Sequence, residues 1–116
     1  MKIMSTENNS DLLFKKSVKI LTDLISFKTI SGEDNTDLID YCDDILKKLG
    51  ATSFRTYDDE KKRVNLFATL KAKSSNNKKP IILSGHTDVV PVSKGWNSDP
   101  FTATIREDKL YGRGSC

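Results

Sequence analysis

Residues 81–91 read Ile-Ile-Leu-Ser-Gly-His-Thr-Asp-Val-Val-Pro, and this stretch decides how the rest of the chain is interpreted. It places the only histidine, His86, just after an apolar run and puts Asp88 two residues later. If the run is a strand that continues through these residues, both side chains share a face, because alternate residues of a strand point the same way. A metal-binding imidazole often donates its second ring N–H to a carboxylate, which fixes the tautomer. The pair therefore indicates a metal ligand with its orienting carboxylate or, alternatively, a surface turn in which Asp88 caps backbone amides.

Further motifs follow this stretch in a fixed order. They are Gly95-Trp96, then Asp99-Pro100-Phe101, then Lys109-Leu110-Tyr111-Gly112-Arg113-Gly114-Ser115-Cys116. Together with residues 84–91 they resemble the zinc-dependent deacylase and exopeptidase family that contains acetylornithine deacetylase, succinyl-diaminopimelate desuccinylase, aminoacylase and the glutamate carboxypeptidases. Separated blocks in the right order are a more specific signal than any single short motif.

The resemblance implies a role for two residues of this chain. His86 would bind one of two metal ions, and Asp88 would be the catalytic carboxylate that holds its imidazole. The metals would be zinc, with cobalt possible, and the substrate a small N-acyl amino acid. The implied fold is α/β, the amino-terminal part of a three-layer zinc-hydrolase domain in which a mixed sheet is flanked by helices. A homodimer is possible for the complete enzyme.

The front half of the chain narrows the choice within the family. Residues 25–31, Asn35 and residues 38–41, together with residues 65–70, look most like acetylornithine deacetylase. The expected reaction is therefore deacetylation of N-acetylornithine in arginine biosynthesis. Two alternatives remain open: a succinyl-diaminopimelate desuccinylase or related peptidase, and a catalytically inactive remnant or accessory domain.

The sequence also predicts that residues 11–116 form an incomplete catalytic domain. In the family, an aspartate that bridges the two metals would come directly after Cys116, and the general base and remaining ligands lie further on. A catalytic zinc site needs about three protein ligands. We therefore expect weak zinc binding by this chain without those residues.

Composition argues against several other classes of protein. The net charge of +3 comes from scattered lysines rather than from a basic stripe interleaved with aromatic residues, so no nucleic-acid partner is expected. No run approaches the roughly 18 apolar residues of a membrane span, and residues 5–11 are polar, which favours the cytoplasm. Cys42 falls on a predicted helix stripe and Cys116 is the last residue, so a disulfide framework is not expected.

Hydrophobic periodicity predicts two helices. The first covers residues 11–27 after a disordered segment, residues 1–10, and the second begins at a cap formed by Asn35 or Thr36 and ends at Gly50. The apolar stripe of the first helix consists of Phe14, Val18, Leu21, Leu24 and Ile25. The stripe of the second consists of Leu38, Cys42, Ile45, Leu46 and Leu49.

The remaining elements are predicted to be strands. Residues 53–57 and 64–70 form two of them, and residues 81–83 form a third that is buried on both faces. Residues 71–79 form a polar loop that is the expected site of disorder. A hairpin pairs residues 102–106 with 110–111 through a turn at Glu107 and Asp108.

Overall fold

The computed structural model describes residues 8–74 and 79–115 and contains helices and small antiparallel sheets. The α/β class is thus confirmed. The elements are α1 (Asn9–Ser26), α2 (Thr36–Lys48), β1 (Thr52–Tyr57), β2 (Val64–Thr69), β3 (Thr104–Arg106) and β4 (Lys109–Tyr111). Of the segments expected to be disordered, residues 1–7 and 75–78 lie outside the described residues. Helix α1 begins two residues before its predicted start, at Asn9.

The chain divides into two compact units. One unit is formed by residues 28–91 and the other by residues 1–27 together with 92–116.

In the unit of residues 28–91, helix α2 packs against an antiparallel hairpin of β1 and β2. The register pairs Thr52 with Thr69 at one end and Tyr57 with Val64 at the other. The alternation of a strand turns every second side chain toward the helix, and Val64 is the most buried of these. The buried apolar residues of this unit are Leu38, Ile39, Ala51 and Val64.

The ends of α2 follow from local chemistry. Asn35 occupies the N-cap position without capping through its side chain, and the Oδ1 atom of Asp34 instead accepts a hydrogen bond from the Thr36 amide at 2.7 Å. At the other end, Gly50 adopts a left-handed φ of 88°, as predicted, because glycine has no Cβ to oppose that conformation.

The predicted buried strand at residues 81–83 is wrong. No described residue pairs with this segment as a strand, and Ile81, Ile82 and Leu83 are 88%, 78% and 92% exposed. A strand needs a hydrogen-bonded neighbour, and an apolar run alone does not supply one. Among the described residues, the pairing that lies nearest to this segment is a parallel bridge between Ile30 and Val89.

The predicted helix stripes are correct only in part. In α2 the fully buried residues are Leu38, Ile39 and Asp43, whereas Leu49 is 65% exposed. In α1 only Ile25 is fully buried, and Phe14 is exposed. The first turns of α1 therefore lie outside the core that the stripe predicted.

The unit of residues 1–27 and 92–116 contains α1 and the hairpin of β3 and β4. Glu107 and Asp108 turn this hairpin with φ values of 48° and 58°, the left-handed pair that a two-residue turn requires. The predicted hairpin is confirmed. A Cβ at Gly112 would lie 2.7 Å from Cγ2 of Ile25, so glycine is what lets this backbone approach α1. No helix of the described residues is long and apolar enough to cross a membrane.

Candidate functional site

His86 and Asp88 lie side by side in the unit of residues 28–91. The Nδ1 atom of His86 is 3.0 Å from Oδ1 of Asp88 and 3.0 Å from the backbone oxygen of the same residue. Both neighbours are acceptors, so Nδ1 carries the proton and donates it. The imidazole is 85% exposed. This arrangement leaves the Nε2 lone pair directed away from the carboxylate and accessible.

The second carboxylate oxygen of Asp88 is held by Ser31. The Ser31 hydroxyl donates to Oδ2 at 2.5 Å. This hydrogen bond lowers the pKa of Asp88 below its ordinary value, and the hydrogen bond with His86 acts in the same direction. Asp88 is therefore ionised at neutral pH, as an acceptor for the Nδ1 proton must be.

Backbone contacts fix the segment that carries the pair. The Val89 amide donates to the Thr29 carbonyl at 2.9 Å, and the Ser31 amide donates to the Val89 carbonyl at 2.9 Å. The buried hydroxyl of Thr29 donates to the Thr87 carbonyl at 2.6 Å. Hydrogen bonds with residues 29–31 thus fix residues 87–89, although these residues form no regular strand.

Asn35 connects the same segment to the hairpin. Its Oδ1 atom accepts from the Val64 amide at 2.7 Å, and its Nδ2 atom donates to the Val64 carbonyl at 3.0 Å. Nδ2 also reaches Oγ1 of Thr87 at 3.5 Å. The sequence suggested Asn35 only as a helix cap, because its partners lie 29 and 52 residues away and no local pattern points to them.

An open groove of about 720 Å³ lies beside these residues. Its lining comes from the loop before α2, from α2, from the turn between β1 and β2 with the adjoining strand ends, and from residues 84–88. Cys42 of α2 faces it, and partial burial raises the pKa of this thiol. A raised pKa keeps the thiol protonated, which disfavours a nucleophilic role.

Comparison with known proteins matches this region to an established family. The profile of Peptidase family M20/M25/M40 matches residues 82–116. Curated relatives include succinyl-diaminopimelate desuccinylases of Rickettsia canadensis, 41% identical over 103 residues, and of Ehrlichia canis, 40% identical over 101 residues; each alignment covers 84% of this chain. The chain is therefore similar to M20 peptidases and to succinyl-diaminopimelate desuccinylases over part of their length.

The relatives are much longer than this chain. The chain spans about a quarter of their length, 26% of the Rickettsia protein and 25% of the Ehrlichia protein. A crystal structure of human carnosine dipeptidase 1 matches with a TM-score of 0.73 over 90% of this chain and 25% of that one, at 24% identity. This likeness shows that the chain shares the fold of part of that dipeptidase.

M20 proteins are typically metal-dependent, and the donor atoms described here fit one part of such a site. His86 offers an exposed Nε2 with its other nitrogen already oriented by a carboxylate, which is the usual arrangement of a ligating histidine. Residues 8–74 and 79–115 bring together no group of three His, Cys, Asp or Glu side chains that could hold a metal. The described residues therefore supply one candidate metal ligand, His86, and the carboxylate that orients it, Asp88.

Proposed function

We propose that this chain is the amino-terminal part of the catalytic domain of a metal-dependent amidohydrolase that removes the acyl group from an N-acyl amino acid. His86 is the metal ligand and Asp88 the catalytic carboxylate of this proposal. The observation that carries it is the contact between Nδ1 of His86 and Oδ1 of Asp88, which leaves Nε2 accessible. The similarity to M20 enzymes supports the reaction class.

The residues of this chain would prepare the site rather than transfer the proton. Ionised Asp88 accepts the Nδ1 proton of His86, which keeps the Nε2 lone pair available and raises its basicity. A bound metal would supply Lewis acidity toward water and toward the acyl oxygen.

The names of the relatives favour succinyl-diaminopimelate as the first substrate to test. N-acetylornithine is the second candidate, because residues 25–41 and 65–70 include the segments that look most like acetylornithine deacetylase. Zinc, with cobalt as an alternative, the cytoplasm and a homodimer belong to the same proposal and rest on the resemblance.

A chimera tests the proposed function. Residues 8–115 would replace the matching segment of the Rickettsia canadensis desuccinylase, and hydrolysis of both substrates and bound zinc would be measured. We expect turnover of one N-acyl amino acid and retention of zinc. His86→Ala should lower zinc occupancy, and Asp88→Ala should reduce zinc affinity or activity by about 10- to 100-fold, the usual cost of losing such a carboxylate.

The control is Ser17→Ala, an exposed position on α1 whose hydroxyl donates to the carbonyl of Leu13 in its own helix. It should leave zinc content and turnover unchanged. A folded chimera in which His86→Ala retains full zinc and full activity would refute the proposed role. If Asp88→Ala lowers the thermal midpoint but not the activity, the carboxylate is structural.

A further inference from the structure

We propose that Ser31 is a positioning residue for the pair of Asp88 and His86. Its hydroxyl fixes the side-chain rotamer of Asp88, and through Asp88 it fixes the orientation of the imidazole. The significance of this positioning for hydrolysis rests on the proposed function, whereas the positioning itself is a property of this chain.

The two carboxylate oxygens of Asp88 contact different partners. Oδ2 of Asp88 accepts from Ser31 at 2.5 Å, and Oδ1 lies 3.0 Å from Nδ1 of His86. The side chain of Asp88 is 55% exposed, so packing does not restrict it to one rotamer. The hydrogen bond from Ser31 is therefore the contact that selects the rotamer in which Oδ1 faces the imidazole.

Ser31 is itself held by the backbone. Its amide donates to the Val89 carbonyl at 2.9 Å, and the neighbouring contact from the Val89 amide to the Thr29 carbonyl has the same length. The Ser31 hydroxyl also lies 3.5 Å from the Val89 carbonyl oxygen, a long contact, but the two shorter backbone bonds do not involve it. Removing the hydroxyl should leave the pairing of residues 29–31 with residue 89 intact, so a positioning role can be separated from a structural one.

Loss of the hydroxyl has a defined consequence at His86. Without Ser31 the carboxylate of Asp88 exchanges among staggered rotamers, and Oδ1 leaves Nδ1 for part of the time. The backbone oxygen of Asp88 is then the remaining acceptor for the Nδ1 proton. The exposed ring is held by one contact instead of two and becomes less ordered.

Nuclear magnetic resonance on the 116-residue chain tests this directly. Because the chain has a single histidine, its ring nitrogen signals need no further assignment. In the parent protein we expect unequal Hα–Hβ couplings at Asp88, which report one rotamer, and a ring in the Nδ1–H form. In Ser31→Ala the couplings should become equal and the ring nitrogen shifts should move toward an average of the two tautomers.

Ser31→Thr keeps a hydroxyl and should restore the parent couplings, and Ser17→Ala should not change them. Equal couplings at Asp88 in the parent chain, or unchanged couplings in Ser31→Ala, would overturn the proposal. Loss of backbone amide dispersion in Ser31→Ala would show a structural role and would also overturn it. These NMR measurements require neither metal nor turnover. A negative result would therefore contradict the positioning role of Ser31 independently of whether the chimera is active.

Discussion

At the scale of single residues, the least expected feature is a buried carboxylate on α2. Asp43 is 1% exposed, and its Oδ2 atom accepts from Lys47 at 2.8 Å and from Nη2 of Arg55 at 2.5 Å. Nη1 of Arg55 also contacts Asp40 at 2.5 Å. The hydrogen bond from Lys47, with further bonds from Ser53 and Arg55, lowers the pKa of Asp43 well below its ordinary value. The pKa of Arg55 is raised in turn, first by Asp40 and then by Asp43.

The depressed pKa of Asp43 predicts a pH-dependent stability. A carboxyl whose pKa is lower in the folded state stabilises that state above its unfolded pKa and loses the effect as pH falls through its folded value. Asp43→Asn should therefore lower the urea midpoint at neutral pH, and its difference from the parent should narrow below the ordinary pKa of 3.8. Circular dichroism during urea titration at several pH values measures this.

Asp44→Asn is the matched control, since it removes the same charge from an exposed neighbour on the same helix. It should change the midpoint little at any pH. A difference between Asp43→Asn and the parent that stays constant down to the lowest pH would show that the charge of Asp43 does not stabilise the fold.

The sequence could not identify Asp43 as a core residue, because the contact that justifies its burial comes from Arg55 on another element, 12 positions away. The same reason applies to Ser31, whose partner Asp88 lies 57 positions away. The sequence could identify His86 and Asp88 as a pair because they are two residues apart. The structure brings them together, and their roles in catalysis stay predictions.

At the scale of elements, local patterns predicted most of the helices and hairpins. Gly50 ends α2 and the turn at Glu107 and Asp108 forms as expected, since both depend on backbone conformations set by a few neighbouring residues. The prediction of a strand at residues 81–83 was wrong because strand pairing depends on a neighbouring strand, which an apolar run does not specify. Periodicity predicted the existence of α2 better than the identity of its buried face.

The packing of α2 on the hairpin predicts unequal effects of two identical substitutions. Leu38 is buried, so Leu38→Ala should cost about 2–5 kcal/mol of unfolding free energy through lost burial and a residual cavity. Leu49 is exposed, so Leu49→Ala should stay within about 0.5 kcal/mol of the parent. Urea unfolding monitored by circular dichroism compares the two. Equal losses would mean that the buried face of α2 differs from the one described.

At the scale of the whole molecule, exposed apolar residues predict self-association. Ile81, Ile82 and Leu83 form a consecutive exposed run in the described part of the chain, and such runs promote association. We expect concentration-dependent oligomers in sedimentation velocity. The double substitution of Ile81→Lys and Leu83→Lys should shift the distribution toward monomer, whereas Leu49→Lys should do so less. A monodisperse parent chain at high concentration would contradict this.

In the proposed function, His86 is oriented by Asp88 and binds metal through Nε2. Anomalous diffraction at the zinc edge from crystals of the chimera tests it most directly. We expect a zinc peak about 2.0–2.1 Å from Nε2 of His86, the usual Zn–N distance, with Oδ1 of Asp88 still within hydrogen-bonding distance of Nδ1. A fully occupied zinc site in which His86 takes no part, or binds through Nδ1 with Asp88 displaced, would contradict it.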